Sequence, residues 1–215
     1  MDQLNNNEHI AVEFHCHTNY SRDSGNRIDH LIKQARKIGI DRLAITDHNT
    51  ISGAIKAKEM APELIIVGEE VRTQSGELIA YFVEEEVPRG LPFRETLRRF
   101  KEQGAFVSIP HPFDWYRNGW AADELVELAG ELDAVEVFNA RCRQKSFNEK
   151  AFHYAQEHGL PMLAGSDAHT MHELGAGLTY LPTFDDAESL RGSVREALNN
   201  GASIPAIEHY MASIN

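Results

Sequence analysis

Two histidines, His15 and His17, flank Cys16 near the front of the chain, and Asp23 follows in the same stretch, FHCHTNYSRDSG. Imidazole nitrogens and carboxylate oxygens are the ligands that Zn²⁺, Mn²⁺ and Fe²⁺ accept, so this stretch could bind a cation. A lone His-x-His is a weak signal. It gains weight because residues of the same types recur downstream: Asp47 with His48, Glu69 with Glu70, His111, Glu136 with Asn139, and Asp167 with His169. Along an extended strand side chains alternate, so His15 and His17 project to one side and Cys16 to the other. Two imidazoles at a strand end can then chelate one ion, with Cys16 packed away from it.

The elements that must position these residues repeat one unit: a short apolar run, a loop, then a helix-period segment. IAVEFH, DRLAITDH and LIIVGEE read as strands, and SGELIAYFV as a further strand joined to the third by a Gly-containing turn. AFVSIPHP, DAVEVFN and LPMLAGSDAH read as later strands. Between them lie helical patterns such as RIDHLIKQARKIGI, with Ile28, Leu31, Ile32 and Ala35 in register and Gly39 as a stop. Strands alternating with helices predict an α/β fold with a parallel sheet, and this many units in one domain favours a closed barrel. In such a barrel the C-terminal strand ends meet at one face, which carries the active site. Every candidate named above except Asp23, which lies in the loop after the first strand, falls at a strand end, so distant segments would deliver His, Asp and Glu to one mouth.

Composition narrows the rest. A chain of 215 residues suits one domain, read here as a frayed tail over residues 1–9 and a barrel over 10–215. The net charge of −12 argues against a broad grip on long nucleic acid, which needs clustered Lys and Arg. No run resembles a membrane span, and the polar start MDQLNNNEH lacks the character of a secretory signal; a cytoplasmic protein with two reduced cysteines, Cys16 and Cys142, is expected.

As an ordered set, HCHTNYSRDSG, ITDHN, VGEEV, IPHPFD and GSDAH resemble the motifs of the PHP (polymerase and histidinol phosphatase) domain family over nearly the whole chain. The resemblance implies a distorted (β/α)7 barrel, two or three divalent metals (Zn, Mn or Fe), and phosphoester hydrolysis by a metal-bound hydroxide. Carried over by position, it implies a first metal on His15, His17, Glu70 and Asp167, and a second shared by Glu70 and His111. A third would sit on Asp23, His48 and His169, with Asp47 behind His48 as an orienting group. Many members place a further histidine after the Glu-bearing strand; TQSGELIAYF has none here, leaving Glu77 or Glu136 as substitutes, or a weaker second site.

A phosphate would also need cations beyond the metals, and Arg22, Arg117 and Arg141 lie in loops at the expected mouth, Arg141 being the preferred one. His172 reads as an ordinary loop residue, and His9, His30, His153, His158 and His209 as structural or solvent-facing. The expectation is a phosphoesterase acting on a small phosphorylated molecule, either a monoester or a nucleotide-type diester. A noncatalytic metal-binding module is the alternative.

Overall fold

The computed structural model describes residues 9–117 and 119–199. The tail before residue 9, the chain after residue 199 and His209 lie outside the described residues. The elements run β1 (His9–Glu13), α1 (Ile28–Ile38), β2 (Arg42–Ile45), α2 (Ser52–Met60), β3 (Ile65–Arg72), β4 (Glu77–Tyr81), α3 (Phe93–Glu102) and β5 (Phe106–Ile109). They continue with a 3₁₀ turn (Trp115–Arg117), α4 (Ala122–Ala129), β6 (Ala134–Asn139), α5 (Lys145–His158), β7 (Met162–Gly165), β8 (Thr179–Pro182) and α6 (Ala187–Asn199).

The strands form one sheet in the order β7-β6-β5-β4-β3-β2-β1-β8. Pairs β1/β2, β2/β3, β5/β6 and β6/β7 are parallel, as strand–helix alternation requires. The hairpin joining β3 to β4 inserts β4 antiparallel to both β3 and β5. The sheet curls until the chain beyond β1 meets the chain beyond β7: Cys16 bridges Ala168 in parallel, and His17 N–H donates to the Ala168 carbonyl at 3.0 Å. Below that contact β8 wedges in antiparallel to β1, and the Thr179 hydroxyl ties it to the backbone of Ala164 in β7. The wall is thus the expected barrel of seven strands, nearly closed, with β8 as an eighth. β8 has no counterpart in the sequence reading, because TYLP is four residues ending in proline and carries no recognisable alternation.

Helices cover the outside with the residues their spacing predicts. Ile28, Leu31, Ile32 and Ala35 of α1 are buried against Leu43, Ile45 and Ile65, and Cys16 lies in the same cluster, away from the histidines beside it. α1 stops at Gly39, whose φ of 79° is open to glycine at no steric cost. α6 closes the base: Leu190 and Val194 pack among Val12, Ile66, Ile79 and Phe106, while Arg191 donates to the carbonyls of Gly104 and Ala105 just ahead of β5. The base is therefore apolar, and among the described residues the His and carboxylate candidates lie at the strand ends of the opposite end. Among the described residues no helix is long and apolar enough to cross a membrane.

Candidate metal centre

The candidate ligands come from the C-terminal strand ends: His15 and His17 past β1, His48 past β2, Glu70 within β3, His111 past β5, and Asp167 and His169 past β7. Three of these turns hold non-glycine residues in the left-handed region, Asn49 at φ 57°, His111 at φ 28° and Asp167 at φ 53°. Such backbone costs about 1–3 kcal/mol and persists only where surrounding contacts impose it, commonly at functional sites.

At the bottom of the mouth four ligand atoms converge. His15 Nε2 lies 3.1 Å from His17 Nε2, 3.5 Å from Glu70 Oε2 and 3.5 Å from Asp167 Oδ1. His17 Nε2 lies 3.4 Å from the same Glu70 oxygen and 3.2 Å from the same Asp167 oxygen. Four ligands at ~2.0–2.2 Å around a tetrahedral cation must stand about 3.3–3.6 Å from one another. The five edges that involve a histidine, 3.1–3.5 Å, lie close to that range, and all four side chains are buried.

The protons are arranged to leave these atoms free. Glu136 Oε1 lies 2.8 Å from His15 Nδ1 and can only accept, which puts the proton on Nδ1 and turns the Nε2 lone pair inward. Ser21 Oγ donates to Asp47 Oδ1 at 2.7 Å, so it accepts from His17 Nδ1 at 3.3 Å, with the same result for His17. Glu70 Oε2 and His169 Nε2 are buried and make no hydrogen bond. Buried polar atoms are almost always satisfied, and unsatisfied ones at one focus fit a bound ion. Charge points the same way: the carboxylates of Asp167, Glu136 and Glu70 outweigh burial and raise His15, whereas burial pushes His17 down to about 4. With the two Nε2 atoms in contact, only one positive charge fits between the rings.

Around this core, His111 Nε2 sits 3.2 Å from the other Glu70 oxygen, Oε1, and 3.8 Å from Glu77 Oε2. Glu77 opens β4 facing the cluster, and burial together with Glu70 pushes its carboxyl up to about 7. Of the two substitutes for the missing histidine, Glu77 is thus beside His111. Glu136 lies behind the cluster instead, holding His15 and, at 2.8 Å, the His111 backbone N–H. On the outer side Asp23 Oδ2 stands 3.3 Å from His169 Nε2 and 3.6 Å from His48 Nε2. His48 Nδ1 meets Glu70 Oε2 at 2.8 Å; burial opposes its charge, but Glu70 prevails and raises it to about 9.

The remaining candidates divide. Asp47 is expected behind the His48 ring, but its oxygens hold Thr18 N–H, Thr18 Oγ1 and Ser21 Oγ, so it acts on His17 through Ser21. Nothing in the sequence singles out Ser21. Glu69 turns away from Glu70, as strand alternation dictates, and accepts Val87 N–H at 2.9 Å. Arg117 is drawn into the cluster: it pairs with Asp167, with Asp114 at 2.9 Å and with Asn139 at 3.2 Å. Arg141 stays at the surface of the mouth, its Nη1 2.6 Å from His169 Nδ1. That nitrogen also lies 2.8 Å from the Asp167 carbonyl, so Nδ1 either accepts from the guanidinium or donates to the carbonyl, and cannot do both. The Arg141 charge is met at 3.7 Å by Asp167 and 3.6 Å by Glu173. Arg22 is exposed on the same rim. Together they edge an open cavity of about 1050 Å³ above Glu70, His111 and Asp167. His9, His30, His153 and His172 are exposed, and His158 packs on Tyr154.

Fold and centre together define a barrel with a buried His/carboxylate site suited to divalent cations. The chain belongs to the PHP domain family, whose signature matches residues 13–133, followed by a PHP-associated signature over residues 145–201. It is similar to two uncharacterized proteins of Methanocaldococcus jannaschii. One is 36% identical over 155 residues, covering 66% of this chain and 89% of the relative. The other is 39% identical over 170 residues, covering 77% and 68%. Among solved structures, a putative metal-dependent phosphoesterase from Bifidobacterium adolescentis superposes with a TM-score of 0.64 at 19% identity, over 84% of this chain and 94% of that one. At that identity the likeness is one of fold.

Proposed function

We propose that this protein is a metal-dependent phosphoesterase that hydrolyses a small phosphorylated molecule, a monoester or a nucleotide-type diester. Membership of the PHP family and the buried ligand cluster support the coarser class, a metal-dependent hydrolase. The phosphoesterase Bifidobacterium neighbour lends the finer reading support by analogy of fold.

The observation that carries the proposal is the convergence of His15, His17, Glu70 and Asp167, whose two carboxylates each lie within 3.5 Å of both imidazole Nε2 atoms, with Glu70 Oε2 buried and making no hydrogen bond. These residues would hold a first ion, Glu70 with His111 and Glu77 a second, and Asp23, His48 and His169 a third. Zn²⁺, Mn²⁺ and Fe²⁺ all suit such mixed ligands. When bound, divalent cations supply Lewis acidity toward phosphoryl oxygens and a water nucleophile at neutral pH.

The chain's own groups do the rest. Glu136 and Ser21 fix the ring protons of His15 and His17 on Nδ1. Arg141 and Arg22 offer planar donors at the mouth for the phosphate oxygens. Arg117 holds Asp167 Oδ2, leaving Oδ1 toward the histidines. Among the described residues no serine or cysteine occupies the focus; Cys16 faces the helices and burial raises its thiol.

The test is metal analysis of the purified protein, with a panel of phosphate monoesters and diesters assayed with Mn²⁺ or Zn²⁺ beside carboxylic ester and amide controls. Turnover of a phosphate ester is expected. Failure of every phosphate ester, or turnover of the controls alone, overturns the reading.

A further inference from the structure

His111 and Glu77, the two residues beside Glu70 at the second ion position, stand on neighbouring strands just past the point where those strands stop pairing. β4 pairs with β5 through Tyr81–Phe106, Ala80–Val107 and Ile79–Ser108. Carried on, the register would set Glu77 opposite Pro110, which has no N–H to give. The ladder therefore ends short of both ligands, yet His111 Nε2 stands 3.8 Å from Glu77 Oε2. Two ligands on one cation at ~2.0–2.2 Å can be no further apart than about 4.4 Å. Something other than the sheet holds them there.

Trp120 has a donor on each side of that gap. Its backbone N–H donates at 2.9 Å to the carbonyl of Pro112, the residue after His111, and its indole Nε1–H donates at 3.2 Å to the carbonyl of Glu77. The ring is buried, and Phe93 meets it edge-on with centroids 5.5 Å apart. A Cβ on Gly76 would fall on the indole, so only glycine lets the turn before Glu77 come this close. That turn is tied down at both ends. The Thr73 hydroxyl and N–H donate to the Gly76 carbonyl at 2.7 and 2.9 Å, and Ser75 Oγ bonds Glu124 in α4, the helix that Trp120 leads into. Glu77 and His111 line the cavity, whereas Trp120 sits behind them.

Resting on the metal-dependent reading, we infer that Trp120 is a positioning residue for the second ion: one of its N–H groups holds the His111 segment and the other holds the Glu77 turn, at a separation that one cation can bridge. The clamp takes over where Pro110 ends the ladder, and it lets a carboxylate on a turn serve in place of the histidine that TQSGELIAYF lacks.

Calorimetric titration of the metal-free protein with Mn²⁺ tests the clamp. Trp120→Phe keeps a ring over Gly76 and removes the indole N–H. It should weaken by about 10–100-fold the one binding step that Glu77→Gln abolishes, the usual scale for losing a group that orients a ligand, and leave the other steps unchanged. Gly76→Ala, which displaces the indole from the other side, should do the same. Leu190→Ala, in the apolar base, should lower the melting temperature and keep every step. An unchanged step in Trp120→Phe, equal weakening of all steps, or the same selective loss in Leu190→Ala overturns the assignment, as does a Glu77→Gln variant that loses no step. If the unsubstituted protein binds no ion, the metal-dependent reading fails, and nuclear magnetic resonance of the histidine rings in the metal-free protein still decides the clamp. Trp120→Phe should then shift the His111 ring signals and leave those of His17 in place; an unmoved His111 overturns it.

Discussion

Glu70 Oε2 is the atom on which the centre turns. It lies within 3.5 Å of His15 Nε2, 3.4 Å of His17 Nε2 and 2.8 Å of His48 Nδ1, and yet makes no hydrogen bond. A buried carboxylate in that setting needs positive charge, which the His48 and His15 rings supply when protonated and which a bound cation would replace. Asp167→Asn keeps the side-chain shape and tolerates the left-handed backbone, so circular dichroism should be unchanged while calorimetric Zn²⁺ or Mn²⁺ binding is lost. Glu77→Gln should remove one ion per chain, read by plasma mass spectrometry, without emptying the His15–His17 position. An unchanged metal content would eliminate Glu77 as the substitute for the missing histidine. Glu136→Ala should weaken cation binding by about 10–100-fold, the usual effect of losing the group that orients a ligating imidazole.

At the scale of elements, the centre depends on how closely β1 and β7 approach. A Cβ on Gly165, the last residue of β7, would fall on the Glu136 carboxylate and on His15 Cβ. A Cβ on Gly177 would fall on the carbonyl of Gly165, where the chain returning to β8 crosses β7. Gly165→Ala should therefore displace Glu136 from His15. An overpacked site of this kind costs about 1–3 kcal/mol, so the melting temperature should fall together with cation affinity. Were affinity to stay constant while the melting temperature dropped, the Glu136–His15 contact would not be what orients the ring. The hairpin that turns β4 against β3 has a matching role, since it carries Glu77 to the side of His111.

For the whole molecule, an acidic chain has gathered Glu70, Asp167, Glu77 and Asp23 at one mouth, with the apolar base at the other end. Ions that bind the folded state alone stabilise it by ~2.7 kcal/mol at a hundredfold excess over Kd. Chelation followed by dialysis should lower the melting temperature by several degrees, and Mn²⁺ or Zn²⁺ should restore it where Na⁺ at equal ionic strength does not. Restoration by Na⁺ would mean that general screening suffices and that no specific ion is needed.

Local patterns along the chain were enough to specify the class of fold and the chemical types at the mouth. Strand–helix alternation is local, and the ligand residues stand beside the runs that form the strands, so both are legible without coordinates. His15 and His17 could be paired from alternation alone, and Cys16 assigned to the other side. What depends on distant segments meeting came from packing across the barrel: Glu77 rather than Glu136 beside His111, Asp47 acting through Ser21, Arg117 pulled into the cluster, and Tyr116 left lining the cavity. The tertiary structure also decided β8, whose four residues take their conformation from the edge of β1. Register, closure and burial are set by packing across the barrel, and no local pattern encodes those contacts.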